Sequence, residues 1–430
     1  AMPQAPARKS EPCTPNIPSL ESLIGREAAE RIVAFRRDLH RHPEIGMETV
    51  RTSDKVEAML RELGVDEIAR FAKTGIAAVV RGAAGSAAPP ARIGFRADMD
   101  ALPAPDECGA AWASETPMRA HLCGHDGHTA GLLAFAAWAV QNRSAFAGEV
   151  LLIFQPGEEG WAGADKMLKD GLFEKYPVRE VYAAHIAGLE PLGKILARAG
   201  AMTASADLFD IEVVGHGGHG ARPHQTRDPV PAAAQLILAL QTIVSRNVNP
   251  ADPAVISVCS IQAGDPGAPS VIPERVRITG TVRTLSPAVR DLIEARIRET
   301  AESAAALAGA EAHVVYDRRY PPQINDAALA EAVLPVIGRT ANSTTASRQA
   351  WAAKISLSCP KSCRVFTSGS ATTMPATTRA CTTRSSISTT ARSPSGRRSL
   401  PTLSARGSRS RIRNDRNTAR KTEGARKALC

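Results

Sequence analysis

The densest chemistry in the chain stands at residues 121–129, His-Leu-Cys-Gly-His-Asp-Gly-His-Thr. Cys123 and His125 flank one glycine and precede a stretch with helical periodicity. A thiolate and an imidazole so placed can reach one metal ion, and a helix start stabilises the thiolate. A buried cysteine beside polar helix-start residues satisfies the same letters equally well. The second group is Glu158-Glu159, held between Gly157 and Gly160. One carboxylate can bind metal while its neighbour acts as a general base toward water. Alone, these residues read more plainly as a solvated acidic turn. His185 ends an apolar run and alone reads as a structural histidine. Together, Cys123, His125, Glu159 and His185 supply the sulfur, nitrogen and oxygen donors that suit zinc or a similar divalent ion. Glu158 then stands beside them as the candidate catalytic base.

Further candidates lie around this set. Asp98, in Phe-Arg-Ala-Asp-Met-Asp, either bridges two metals or orients a ligand imidazole from behind; an ordinary turn aspartate is the alternative. His128 is expected to be a first-turn helix residue, not a ligand. The Gly- and His-rich run 215–224 lacks both the phosphate-loop Gly-Lys-Ser/Thr and the dinucleotide-binding glycine spacing. It reads better as a flexible loop presenting His219 to a developing oxyanion. Arg283 suits bidentate capture of a substrate carboxylate, or is a surface arginine of a strand.

These residues need elements to bring them together. Ile32, Phe35 and Leu39 recur at helical spacing before Pro43. Strand-like runs follow at Ile76–Val80 and Ile93–Phe95, then a helical pattern at His128–Val140 and strands at Val150–Phe154 and Val181–Ala184. Strands alternating with helices predict an α/β layer on a mostly parallel sheet. In such sheets functional groups gather beyond the carboxyl ends of strands, where Asp98, Glu158, Glu159 and His185 all fall. A second unit reads strand Leu208–Val214, helix Pro231–Ser245, strands Ala254–Ile261 and Val276–Thr284, helix Pro287–Leu307 and strand Ala312–Tyr316. Ser286 before Pro287 is a good helix start. The β-α-β-β-α-β order is the ferredoxin-like pattern.

The bulk numbers fit a two-domain protein of 430 residues. The predicted organisation is a flexible leader (1–21), a first catalytic part (22–203), an inserted ferredoxin-like α+β domain (204–317), a return to the catalytic domain (318–340) and a tail (341–430). No apolar run reaches membrane-spanning length, and the Pro-rich leader has no apolar core of a signal peptide. The net charge of +10 is unevenly placed: residues 341–430 hold 18 Lys/Arg and only 2 Asp/Glu. The body before them is mildly acidic. The eight cysteines show no disulfide framework, so a reducing cytoplasm is the expected compartment. No aromatic residues interleave the charges between Arg406 and Lys427, so nucleic-acid binding there would be nonspecific.

The motifs DLHRHPEIGMET, RADMDALP, CGHDGHTAGLL, FQPGEEGWAGADKML, the histidine of AAHI, GHGGHGARPHQTRDPV and VIPERVRITGTVRT stand in one order along residues 25–338. As a set they resemble the metal-dependent amidohydrolases of the aminoacylase-type metallopeptidases. These include hippurate hydrolase, indole-acetyl-amino-acid hydrolase and N-acetyl-diaminopimelate deacetylase. The resemblance implies metal-dependent hydrolysis of N-acyl-amino-acid amides. It implies Cys123, His125, Glu159 and His185 as ligands of two divalent ions (Zn, Mn, Ni or Co), and Glu158 as general base. It also implies a homodimer through the inserted domain, with His219 and Arg283 binding substrate.

The chain departs from that family twice. Ser270 stands where an asparagine is usual before Val-Ile-Pro. The family's C-terminal Gly-Glu-Asp-Phe and later His-Asn-Pro, which supplies a fifth metal ligand, are not written here; every histidine precedes residue 341. In the neighbouring reading frame, Ala350 to Ser356 can encode Met-Gly-Gly-Glu-Asp-Phe, and Cys381 to Thr390 can encode Leu-His-Asn-Pro-Phe-Ile-Asp-Phe-Asn-Asp. A frame shift near residue 340 is therefore expected, to be checked by sequencing the gene. The alternative is a natural basic tail. Ser and Thr make up 30 of the last 90 residues, and like charges repel, so the tail is expected to be disordered. Little or no hydrolysis is expected of the chain as written, which would leave an impaired relative with at most a binding role.

Overall fold

The computed structural model describes residues 18–85, 91–186, 194–340, 342–345 and 364–370. The expected leader lies largely outside them. The chain opens with α1 (Leu20–Ile24), α2 (Arg26–Arg41) and α3 (Val50–Leu63). Helix α2 buries Ile32, Phe35 and Leu39 along one stripe and ends at His42, just before Pro43. Helix α3, which the periodicity did not announce, buries only Val56 and Leu60 as large apolar residues. Gly64 ends it in the left-handed conformation, with its N–H returned to the carbonyls of Leu60 and Arg61.

The first sheet begins with β1 (Glu67–Phe71), β2 (Gly75–Arg81) and β3 (Arg92–Asp98). It continues after α4 (His125–Gln141) with β4 (Glu149–Gln155), then α5 (Gly163–Lys169), α6 (Leu172–Lys175), β5 (Glu180–Ile186) and β6 (Lys194–Ala197). The core pairs β4–β3 and β3–β5 are parallel. Pairs β1–β2 and β2–β4 are antiparallel. The sheet is therefore mixed, with antiparallel strands at the β1–β2 edge of an otherwise largely parallel layer. The hairpin between β1 and β2 turns through Ala72 and Lys73, both at positive φ. Such a turn usually announces itself with Asn-Gly or Asp-Gly, and here that signal is missing. Strands β2 and β4 are buried along nearly their whole length because helices cover both faces. One side packs against α2, α3 and α4 through Leu39, Leu60 and Leu133; the other packs against α5 and α6 through Met167 and Leu172.

The chain leaves this layer through β7 (Gly200–Thr203) into β8 (Ala206–Val214), β9 (Gly218–His219), α7 (Pro229–Thr242), β10 (Ala254–Ala263), β11 (Val271–Ile272), β12 (Arg275–Thr284), α8 (Pro287–Leu307) and β13 (Glu311–Tyr320). Strands β10, β12, β8 and β13 form an antiparallel sheet in that spatial order. This is the β-α-β-β-α-β succession the sequence predicts. Inward residues of β8 alternate with outer ones, and Phe209, Ile211 and Val213 meet Leu236, Leu240, Ile293 and Ile297 from the two helices. Helix α8 starts at Pro287, but Ser286 makes no side-chain cap bond. Asp228 does cap α7, accepting the Val230 N–H. Within this layer Asp207 is fully buried and paired with Arg290, and Tyr316 donates its hydroxyl to Asp207 Oδ2 at 3.2 Å.

The chain returns through β14 (Gln323–Asn325), which pairs antiparallel with β7, and α9 (Ala327–Thr340). Two further strands then join the first sheet: β15 (Asn342–Thr345) parallel to β6, and β16 (Arg364–Ser370) parallel to β5. This corrects the expectation that nothing after residue 340 orders. Arg-Val-Phe-Thr is a short run of β-branched and aromatic residues inside the Ser/Thr-rich sequence, enough to add a strand beside β5. The frame-shifted motif positions 350–356 and 381–390 lie outside the described residues.

Candidate metal centre

The parallel strands β3, β4 and β5 end on the same side, and the predicted site residues collect there. Gly124 precedes α4 with φ +82°, a conformation that favours glycine, and a Cβ at this position would meet Ile186 Cδ1 at 2.7 Å. That turn sets Cys123 and His125 on either side of the helix start. His125 is fully buried. Its Nδ1 lies 2.7 Å from the Asp100 carbonyl oxygen, which can only accept, so Nδ1 carries the proton. Its Nε2 lone pair then faces Asp98 Oδ2 at 3.4 Å, Glu159 Oε1 at 3.8 Å and Glu158 Oε2 at 3.9 Å. His185 is set the same way: its Nδ1 donates to the Ile186 carbonyl at 2.7 Å, and its Nε2 lies 3.8 Å from Cys123 Sγ.

The two glutamates are fixed from below by Asp100. Its Oδ1 accepts the Glu158 N–H at 2.8 Å and its Oδ2 accepts the Glu159 N–H at 3.0 Å. Tyr320, at the end of β13, donates its hydroxyl to the Glu158 carbonyl at 3.1 Å and accepts the Ala162 N–H at 3.1 Å. Gly163 lets the chain fold back tightly, since a Cβ there would fall 1.7 Å from the Pro156 carbonyl oxygen. Glu158 is buried, whereas Trp161 at the same turn is half exposed.

Asp98 is fully buried between three cations or potential cations. Arg96 Nη1 lies 2.9 Å from Oδ2, and His128 Nδ1 donates to Oδ1 at 2.6 Å. Burial alone would raise the Asp98 pKa, but Arg96, His125 and His128 outweigh it and hold the carboxyl well below the usual range. His128 Nε2 accepts the Ile186 N–H at 2.9 Å. Both ring nitrogens of His128 are thus occupied, in keeping with a first-turn residue of α4.

Whether a cation fits can be tested on the buried atoms. His125 Nε2 and Glu159 Oε1 are buried with no hydrogen-bond partner, an expensive state unless a ligand completes it. Burial disfavours a charged His125, yet Asp98, Asp100 and Cys123 raise its proton affinity well above the ordinary imidazole value. The pocket therefore calls for positive charge at Nε2, and a divalent ion supplies it in place of a proton. The donor set of one sulfur, two imidazole nitrogens and carboxylates suits zinc and its neighbours.

His219 and Arg283 stand apart from this cluster in the contacts they make. His219 is exposed in the small β9–β11 ladder, and its Nδ1 accepts the Ala221 N–H. Arg283 is half-buried on β12 and donates to Thr281 Oγ1 and the Val282 carbonyl. Burial lowers its pKa. Sequence reasoning missed Asp100 and Tyr320. Asp100 was signalled by the second aspartate of Ala-Asp-Met-Asp; Tyr320, far along the chain, carried no signal.

The family model described as Peptidase family M20/M25/M40 matches residues 94–358. The N-acyl-L-amino acid amidohydrolase of Geobacillus stearothermophilus is 38% identical over 300 residues, covering 70% of this chain and 79% of the relative. The hippurate hydrolase of Campylobacter jejuni is 40% identical over 264 residues, covering 61% and 67%. Among solved structures, the Bacillus subtilis YXEP protein, a dinuclear metal binding peptidase, matches with a TM-score of 0.69 and 31% identity over 80% of this chain and 89% of that one.

Proposed function

The chain belongs to peptidase family M20/M25/M40, and from that premise we propose that its site hydrolyses the amide bond of N-acyl-amino acids. The products are a carboxylic acid and an amino acid. One observation carries the reading: the buried Nε2 of His125, without a hydrogen-bond partner, faces Asp98, Glu158 and Glu159, with Cys123 and His185 in the same cluster. Cys123, His125, Glu159 and His185 would hold the metal, two divalent ions of the Zn, Mn, Ni or Co type, as the dinuclear relative supports. When bound, such ions polarise the amide carbonyl and make water a better nucleophile.

The rest falls to the chain's own groups. Glu158 takes a proton from the attacking water on its carboxylate and returns it to the leaving amine. Asp100 and Tyr320 hold its backbone so that this carboxylate stays beside His125. Asp98 and Asp100 orient His128 and His125 from behind. His219 is assigned to the developing oxyanion and Arg283 to the substrate carboxylate, the layer of β8–β13 serving as the dimer contact. These roles rest on the family resemblance and on the exposure of His219.

No histidine follows His313, so the fifth donor of the family is absent from the chain as written. Little or no hydrolysis is accordingly expected of it, a loss beyond the roughly 10–100-fold that follows removal of a group merely supporting a ligand. The test assays the chain as written and a frame-restored protein on hippurate and a panel of N-acetyl-amino acids with each metal. Metal-dependent hydrolysis by the restored protein supports the reading. No hydrolysis by either refutes it, and equal rates refute the role of the missing histidine.

A further inference from the structure

A second group of donors lies outside this centre. His40 stands in the last turn of α2, and Asp106 and Cys108 in the loop between β3 and α4. His40 Nε2 is 3.3 Å from Asp106 Oδ2 and 4.0 Å from Cys108 Sγ, and the three donor atoms lie within 4.8 Å of one another. All three side chains are more than nine-tenths buried. Behind the ring, Asp126 Oδ2 accepts from His40 Nδ1 at 3.0 Å and is itself held by Arg36 Nε at 3.1 Å. A carboxylate behind an imidazole leaves Nε2 as the lone-pair atom and is the usual support of a metal-binding histidine. Around a tetrahedral zinc, with Zn–S about 2.3 Å and Zn–N or Zn–O about 2.0–2.1 Å, sulfur and nitrogen stand about 3.6 Å apart and nitrogen and oxygen about 3.4 Å. The His40–Asp106 spacing already matches, the thiol must close on His40, and Asp106 Oδ2 keeps a second lone pair beside the Ser114 N–H it accepts at 2.7 Å.

A separate observation points to the same place. His121 is 3% exposed, and neither of its ring nitrogens has a hydrogen-bond partner. Its ring centroid lies 6.3 Å from that of His40. A buried imidazole left so is costly unless a ligand completes it.

We propose that His40, Asp106 and Cys108 bind one zinc-like divalent cation in a structural site separate from the hydrolytic centre, which the unpartnered ring of His121 can complete by moving toward it. Binding releases the Cys108 thiol proton to solvent. The ion joins the end of α2 to the loop that carries Asp106 and Cys108. Through Asp126 it also steadies the first turn of α4. The competing account is a protonated His40 bridging Asp106 and Asp126, with the thiol uninvolved.

Cobalt(II) distinguishes the two, because a thiolate bound to it gives a near-ultraviolet charge-transfer absorption that a thiol does not. The full chain carrying Cys123→Ser, which removes the thiolate of the hydrolytic centre, is titrated with cobalt(II). The band is expected to grow to about one ion per chain and to vanish when Cys108→Ser is added. The other cysteines are common to both variants and drop out of the difference. No band in Cys123→Ser, or a band that survives Cys108→Ser, overturns the proposal. Should the serine variant lose the wild-type circular dichroism, Cys108→Ala replaces it. The single variant Cys108→Ser, with Cys123 intact, keeps the band of the hydrolytic centre, so a failure of that centre shows there and not here.

Discussion

Asp100 and Glu158 are joined by a hydrogen bond from the Glu158 backbone N–H to Asp100 Oδ1, 2.8 Å long and buried at both ends. With the matching bond to the Glu159 N–H, one carboxylate sets the turn from which both the proposed base and a proposed metal ligand project. Asp100→Asn keeps the shape but offers only one acceptor oxygen to two N–H donors. Its kcat is expected to drop roughly 10–100-fold, the usual cost of disturbing a group behind a metal site. Steady-state kinetics on the frame-restored protein would show this; an unchanged kcat removes Asp100 from its positioning role.

Glu158→Gln separates proton transfer from metal binding. The amide cannot take a proton from water, so kcat should decrease by about 10²–10⁴-fold. Metal content, measured by atomic emission on the same preparation, should not change. A parallel loss of metal would instead make Glu158 a ligand.

Metal removal should register in stability as well as in rate. An ion bound only to the folded chain, supplied at a hundred times its dissociation constant, raises the unfolding free energy by about 2.7 kcal/mol. Cys123, His125 and His185 come from two separate elements, which makes this linkage direct. In His125→Ala the increment at the hydrolytic centre should disappear. Thermal melts with chelator and with added metal test it, and an undiminished metal-induced shift in the variant would contradict the ligand assignment.

Away from the site, Asp38 on α2 receives Arg51 Nη2 at 2.8 Å and Lys55 Nζ at 3.0 Å. Burial pushes its pKa up, but these two cations outweigh it and the net shift is downward. The unfolded aspartate titrates near pH 3.9, roughly. The contribution of Asp38 is thus fully present above that pH and is lost as pH falls through the lower folded value. Asp38→Asn should cost about 1 kcal/mol at pH 7, given partial exposure. In urea melts the gap from the parent should shrink toward zero in acid; a gap that widens there would reverse the assigned sign.

What the sequence made legible was what repeats or crowds. The ladders of Ile76–Val80 and Val150–Phe154 and the helix from Pro287 have strong periodicity, and the structure has strands and a helix there. The crowding of Cys123 and His125 at the start of α4, of Glu158 and Glu159 in the turn after β4, and of His185 near the end of β5 could be read from the sequence, and the structure brings these side chains together. Helix α3 was not, because its apolar stripe is narrow and Thr52 and Ser53 share its buried face. The mixed direction of the sheet was hidden by a turn made of Ala72 and Lys73. The hold of Tyr320 on Glu158 was hidden by distance along the chain, which no local pattern encodes.

Strands β7 and β14 mark where the polypeptide departs for its second sheet and where it comes home, and they are hydrogen-bonded to each other. Partners in such a ladder lie only about 5 Å apart. A short hairpin could therefore reconnect Thr203 to Gln323 without redirecting either strand, and the excursion between them behaves as a cassette. Lengthening, shortening or exchanging it is expected to leave the pairing of Thr203 with Gln323 in place. The exchange would take from the site the phenol of Tyr320 that holds Glu158, together with His219 and Arg283, the proposed substrate contacts.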